Sequence, residues 1–131
     1  ALADLPWGMT AHLVYAAIDP DLPATLSPRM IRVIRDGIGF QGLLMTDDLS
    51  MNALPGPVEE RAGRARAAGC DIVLHCNGEM EEMRKVVEAA GTLDRDATDR
   101  LAAVMRARPD PVRLDIREVE AEFDALISRD R

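Results

Sequence analysis

Apolar and polar positions along this chain fall into two kinds of segment. Short unbroken apolar runs bounded by turn residues predict buried strands. Residues 9–15, Met-Thr-Ala-His-Leu-Val-Tyr, form one such run. Residues 42–46, Gly-Leu-Leu-Met-Thr, form a second, bounded by Gly and Asp, the pattern of a strand covered on both faces. Residues 71–76, Asp-Ile-Val-Leu-His-Cys, form a third and end at Asn77-Gly78. Between these runs, apolar residues recur at helical spacing. Ser27-Pro28 predicts a helix start, with Ser as N-cap and Pro at the first helical position. Met30, Val33 and Ile34 then share one face, and Gly37 and Gly39 close the helix. Residues 58–68, rich in Ala and Arg, predict a second helix stopped by Gly69. Met80, Met83, Val86, Val87 and Ala90 predict a third, stopped by Gly91. Leu101, Val104 and Met105, then Ile116, Val119, Phe123 and Ile127, predict two more, separated by Pro109 and Pro111.

The order strand, helix, strand, helix, strand, helix predicts βαβ units and a parallel sheet, an α/β fold. Three parallel strands leave two open edges. They cannot close a barrel, which needs eight strands and about 250 residues. The chain of 131 residues is one domain in size, with no internal repeat, and reads as the C-terminal part of something larger.

Composition narrows the function classes. Sixteen basic against 23 acidic residues give a net charge of −7, which argues against nucleic acid and against an anionic membrane surface. Aromatic residues are only 3% of the chain, too few for a base- or sugar-stacking platform. No apolar stretch approaches the roughly 18 residues that span a bilayer, and the N-terminus has no signal-peptide pattern. Cys70 and Cys76 match neither a disulfide framework nor a zinc spacing. Both are expected to be reduced core residues, and the compartment to be the cytoplasm. The chain does not open on Met and is expected to be a processed product or a fragment.

Functional groups of parallel α/β folds sit at the carboxyl ends of strands. Three places meet that test: Thr46-Asp47-Asp48, His12, and His75-Cys76-Asn77. A carboxylate directly after a buried strand can serve as nucleophile, base or metal ligand. An Asp at that position also caps a following helix, so position alone leaves both readings of Asp47 and Asp48 open. His12 and His75, each alone on an apolar run, read first as hydrogen-bonded core residues. A metal centre from His12, Asp47 and His75 has no supporting ligand spacing, and no metal is expected. Arg61, Arg64 and Arg66 read as a solvated helix face.

Residues 39–51, Gly-Phe-Gln-Gly-Leu-Leu-Met-Thr-Asp-Asp-Leu-Ser-Met, resemble the nucleophile segment of family 3 glycoside hydrolases. They resemble in particular the bacterial cytoplasmic β-N-acetylglucosaminidases of cell-wall recycling. Met9-Thr10-Ala11-His12 with residues 15–19 resembles the strand and loop before that segment. Ala24-Thr25-Leu26-Ser27 resembles the helix start that follows, and residues 67–77 resemble the last barrel strand. The resemblance covers roughly residues 5–90.

It implies the C-terminal portion of a (β/α)8 TIM-type barrel, about three parallel strands with flanking helices. The barrel part runs over about residues 5–94, with C-terminal helices over about 95–131, in a single partial domain 1–131. It implies removal of terminal β-linked N-acetylglucosamine (GlcNAc) from peptidoglycan-derived muropeptides with retained configuration. The aspartate directly after the Ser/Thr of the motif, here Asp47, would attack the anomeric carbon and carry a covalent glycosyl-enzyme. Asp48, His12, Thr46, Met51, His75 and Asn77 would stand behind that carboxylate or line the pocket. Such chemistry needs no cofactor and no metal. The partner implied is a small carbohydrate, with no nucleic acid and no membrane. The family's acid/base segment, Asp-Ser-His, and its sugar-binding Lys-His pair occur nowhere in the sequence. The resemblance places the first residues just before the sixth strand. The alternative expectation is therefore a catalytically incomplete fragment, or a subunit that completes a barrel with another polypeptide. Open sheet edges would favour self-association or a partner.

Overall fold

The computed structural model describes residues 2–128. One parallel sheet has the order β1 (Trp7–Met9), β2 (Leu43–Asp48), β3 (Ile72–Leu74). Five α-helices accompany it: α1 (Pro28–Arg32), α2 (Val58–Ala68), α3 (Met80–Ala90), α4 (Arg95–Ala107) and α5 (Ile116–Ser128). This is an open α/β sheet with flanking helices, and β2 is its middle strand. The core joins Leu44 and Leu49 on the sheet side to Leu26, Ile31, Phe40 and the small residues Ala62, Ala65 and Ala68 of α2. Alanine every three to four residues lets α2 lie close to the sheet.

Local signals in the sequence are realised where they demand particular backbone. The Ser27 hydroxyl accepts the Met30 N–H at 3.1 Å and donates to Asp19 at 2.6 Å, capping α1 while satisfying a buried carboxylate. After Arg32 the helix widens into a π-helical turn, Val33–Gly37. Gly69 stops α2 in the left-handed region at φ 113°, where a Cβ would also lie 2.9 Å from Ile31.

Three expectations need correction. The first strand is Trp7–Met9, not residues 9–15. Thr10 N–H makes its bond to Met45 O, and the chain then leaves the sheet. The Thr10 hydroxyl lies 2.9 Å from that of Thr25 in the interior, and this buried polar pair turns the backbone across the strand ends. Leu13, Val14 and Tyr15 are left half exposed, with Val14 in an isolated antiparallel bridge to Pro23. Arg61 and Arg66 are not a solvated face. Arg61 donates to the carbonyls of Gly56, Leu49 and Met51, and Arg66 to those of Cys70, Asp71, Ala90 and Thr92. These guanidinium groups satisfy loop carbonyls that would otherwise lack partners. Arg64 is exposed. Cys70 is buried, but Cys76 is exposed because the chain has already left β3.

The last two helices differ. Asp94 caps α4 by accepting the Ala97 N–H at 2.8 Å, Ala97 is fully buried, and Arg100 reaches Asp71 at the start of β3. Helix α5 buries no side chain. No helix among the described residues is long and apolar enough to cross a membrane.

Candidate active site

The carboxyl end of β2 is irregular at an informative place. Met45 pairs with Ile72 and Asp48 pairs with Leu74, so three steps on β2 answer two on β3. The extra residue is a bulge over Thr46-Asp47, a device that re-aims a side chain at the end of a strand. The bulge leaves the Leu74 N–H without a ladder carbonyl. The hydroxyl of the fully buried Thr46 accepts it at 2.9 Å. Pairing resumes at once, with Leu49 N–H donating to Leu74 O at 2.9 Å. Sequence reasoning ended the strand at Thr46; β2 in fact carries Asp47 and Asp48 as its last two residues.

The two carboxylates at this end have different surroundings. Asp48 is saturated. Its carboxylate accepts from the Ser50 hydroxyl, from Ser50 N–H at 2.9 Å and from Cys76 N–H at 3.1 Å. Burial pushes its carboxyl up, but those bonds, with His75 nearby, outweigh burial and hold it below the ordinary carboxylate value. Asp48 therefore stays ionised and serves as a tie between β2 and β3. Asp47 is half-buried and engaged once: its Oδ1 accepts the Asp48 N–H at 2.8 Å. Its second oxygen takes no hydrogen bond among the described residues.

The other sequence candidates divide into two groups. Thr46 and His12 join the aspartates. His12 bridges from the loop after β1, with Nε2 2.9 Å from Asp48 O and Nδ1 2.7 Å from Thr25 Oγ1. Met51 contributes its backbone N–H to the same Asp48 carbonyl at 3.2 Å while its side chain stays exposed. His75 and Asn77 follow β3, and both meet Glu82 of α3. The His75 side chain is almost wholly buried, neither ring nitrogen has a hydrogen bond, and Nε2 approaches Glu82 at 3.5 Å. Asn77 bonds Glu82 and accepts the Glu79 N–H at 3.0 Å ahead of α3. His12, Asp47 and His75 do not form one ligand set, and no metal-binding cluster occurs among the described residues.

Sequence reasoning missed Thr10, Thr25, Ser50 and the backbone of Cys76. Ser50 had a signal, because Asp-x-Ser is an Asx-turn pattern in which the first carboxylate accepts bonds two residues on. Thr25 had none, since its partners lie thirteen and fifteen positions away. A cavity of about 680 Å³ lies at the opposite end of the strands, lined by Pro6, Gly42, Arg100 and Val104 among others. Chemically, the end that carries Asp47 presents an aspartate on a fixed backbone with one oxygen uncommitted, an arrangement suited to a nucleophile or a base.

Comparison with known proteins extends this picture. The model for the glycosyl hydrolase family 3 N-terminal domain matches residues 3–107. The β-hexosaminidase of Alkalilimnicola ehrlichii is 51% identical over 76 residues, 56% of this chain and 22% of that protein. The β-hexosaminidase of Nitrosospira multiformis is 40% identical over 106 residues, 79% of this chain and 30% of that protein. Among solved structures, the β-N-acetylhexosaminidase of Beutenbergia cavernae superposes with a TM-score of 0.64 at 31% identity, covering 78% of this chain and 34% of that one. The chain thus spans about a fifth to a third of the length of these relatives. Structures of this domain are TIM-barrel-like, and the three parallel strands are an open portion of that architecture.

Proposed function

We propose a function from one premise: this chain belongs to the glycosyl hydrolase family 3 N-terminal domain family. On that premise it is part of a retaining β-N-acetylhexosaminidase, and Asp47 is the nucleophile. One observation carries the reading. At the bulged end of the central strand, Asp48 is spent on three donors, whereas Asp47 keeps an oxygen free on a backbone held from both sides. A retaining glycosidase needs such a carboxylate fixed against one sugar face, with a second acid about 5 Å away. Attack by the free Oδ2 of Asp47 on the anomeric carbon expels the leaving-group oxygen, which takes a proton from the acid. Water then releases the sugar with the configuration retained.

Asp48 is unsuited to the acid role, because its bonds hold it ionised. The acid/base therefore comes from a segment outside this chain, which has no Asp-Ser-His. The substrate we propose is a terminal β-linked GlcNAc of a peptidoglycan-derived muropeptide, handled in the cytoplasm. The 131-residue polypeptide alone is catalytically incomplete. The free edges of β1 and β3 are where further strands, from the rest of the protein or from a partner, complete the barrel.

The test is hydrolysis of a chromogenic β-N-acetylglucosaminide by this chain, by the longer parent polypeptide and by the parent's Asp47→Ala variant. The expected result is no turnover by the chain alone and turnover by the parent. In Asp47→Ala that turnover falls by on the order of 10⁴-fold or more. A parent that keeps normal activity after Asp47→Ala would contradict the assignment.

A further inference from the structure

We infer that His12 is a positioning residue for Asp47, acting through the backbone of Asp48. The inference rests on Asp47 being the reactive carboxylate. Three facts carry it. The Asp48 carbonyl is an acceptor only, so the nitrogen of His12 that approaches it at 2.9 Å must bear a proton. The ring is thereby fixed as the Nε2–H form at that contact. On the other side, Nδ1 lies 2.7 Å from the hydroxyl of Thr25, a residue with no solvent exposure. In the neutral ring, Thr25 donates to Nδ1. The hydroxyl of Thr10, itself buried, lies 2.9 Å from Thr25 and donates to it. The Ala11 carbonyl, at 3.2 Å, is the longer alternative acceptor for the Thr25 proton.

The result is a polar strut of three side chains running from the loop after β1 to the end of β2. It ends on the residue that holds the nucleophile. The Asp48 N–H donates to Asp47 Oδ1, while the Asp48 carbonyl receives the His12 proton. The carbonyl and the N–H lie in two successive peptide planes joined at the Asp48 Cα, so the His12 bond restrains the rotation between them and, through it, the direction of the N–H. A neighbouring strand could have been joined through backbone alone. Instead, a buried hydroxyl pair is committed to orienting one imidazole, at the cost of desolvating two threonines. The ring nitrogens of His12 bond Thr25 and the Asp48 carbonyl rather than Asp47, so its effect is on aim rather than on chemistry.

The experiment is nitrogen NMR of the imidazoles together with carbon NMR of the Asp47 carboxyl and the Asp48 carbonyl. It compares the 131-residue chain with its His12→Gln, His12→Ala and Thr25→Val variants. The expected wild-type spectrum shows His12 protonated at Nε2. His12→Ala shifts both the Asp48 carbonyl and the Asp47 carboxyl resonances. His12→Gln, whose amide N–H stands near the place of Nε2–H, returns both toward wild type. Thr25→Val keeps the Nε2–H form but broadens the ring signals as the ring loses its anchor. A wild-type ring protonated only at Nδ1 would overturn the inference without any variant. So would an Asp47 carboxyl resonance that stays in place when the Asp48 carbonyl shifts, because His12 would then be merely structural. These readouts need no turnover, so they stand or fall separately from the identity of the nucleophile. In the parent enzyme, His12→Ala lowers kcat by roughly 10- to 100-fold with KM little changed, and His12→Gln recovers most of it.

Discussion

The two ends of the sheet each carry a key aspartate, and the protein treats them oppositely. At the start of β3, Asp71 is filled. Its Oδ2 accepts from Arg35 at 2.6 Å and from Leu44 N–H at 2.8 Å, and its Oδ1 accepts from Arg100 at 3.0 Å. Those bonds tie the turn after α1, the middle strand and α4 to one carboxylate that is 5% exposed. At the other end of the middle strand, Asp47 has a single bond from its neighbour's N–H and one oxygen left over. The same residue type ties the fold together where both oxygens are engaged, and keeps an oxygen available where it makes a single local bond. This division follows the general rule for such sheets, in which the amino ends of the strands hold the fold and the carboxyl ends carry the chemistry.

Removing each carboxylate in turn and measuring stability by urea unfolding separates the two roles. Asp71→Ala strands Arg35 and Arg100 in a mostly buried site and is expected to cost about 3–5 kcal/mol. Asp47→Ala loses one local bond and is expected to cost no more than about 1 kcal/mol. Equal losses at both positions would erase the distinction. A loss between those two is expected at Thr46, whose hydroxyl makes the bulge tolerable. Thr46→Val leaves the Leu74 N–H unpaired in a part-buried place, at about 1–3 kcal/mol. An unchanged midpoint in that variant would mean that the strand does not depend on the hydroxyl to carry the bulge.

Smaller still is the pH dependence contributed by Asp48. Its carboxyl is held below the ordinary value, chiefly by Ser50 and Cys76 acting against burial. A depressed folded-state value stabilises the protein above the unfolded carboxylate pKa of about 3.9. That contribution is lost as pH falls through the folded value. Melting temperature should therefore decline below about pH 4, more steeply in the wild type than in Asp48→Asn. Parallel curves would show that Asp48 is not the tie between β2 and β3.

Much of the sheet's frame was legible in the sequence because it rests on local rules. Ser27-Pro28 and Gly69 mark helix ends that any neighbouring structure would respect, and the apolar run at residues 43–46 has to be buried. The position of β1 was not legible. Leu13, Val14 and Tyr15 look more strand-like than Trp7, Gly8 and Met9, yet the Thr10–Thr25 pair, fifteen residues apart, draws the chain off the sheet before them. Arg61 and Arg66 were misread for the same reason: an arginine's partners here are loop carbonyls, which no helical periodicity reveals. Asp47 could be singled out from its place after a buried strand and from the motif around it. What distinguishes it from Asp48 depends on Ser50, Cys76 and the bulge, and those emerge only when β2 and β3 are side by side.

As the proposed nucleophile, Asp47 bonds to sugar through its uncommitted oxygen. The most direct measurement is to trap the intermediate in the longer parent polypeptide. A fluorinated N-acetylglucosaminide with a good leaving group serves as the trap, and peptide fragmentation by mass spectrometry locates the added mass. One sugar per chain is expected, attached to Asp47 and absent from the Asp47→Ala variant. A sugar mapped to Asp48 or to any other residue, or full turnover by Asp47→Ala, would contradict that assignment.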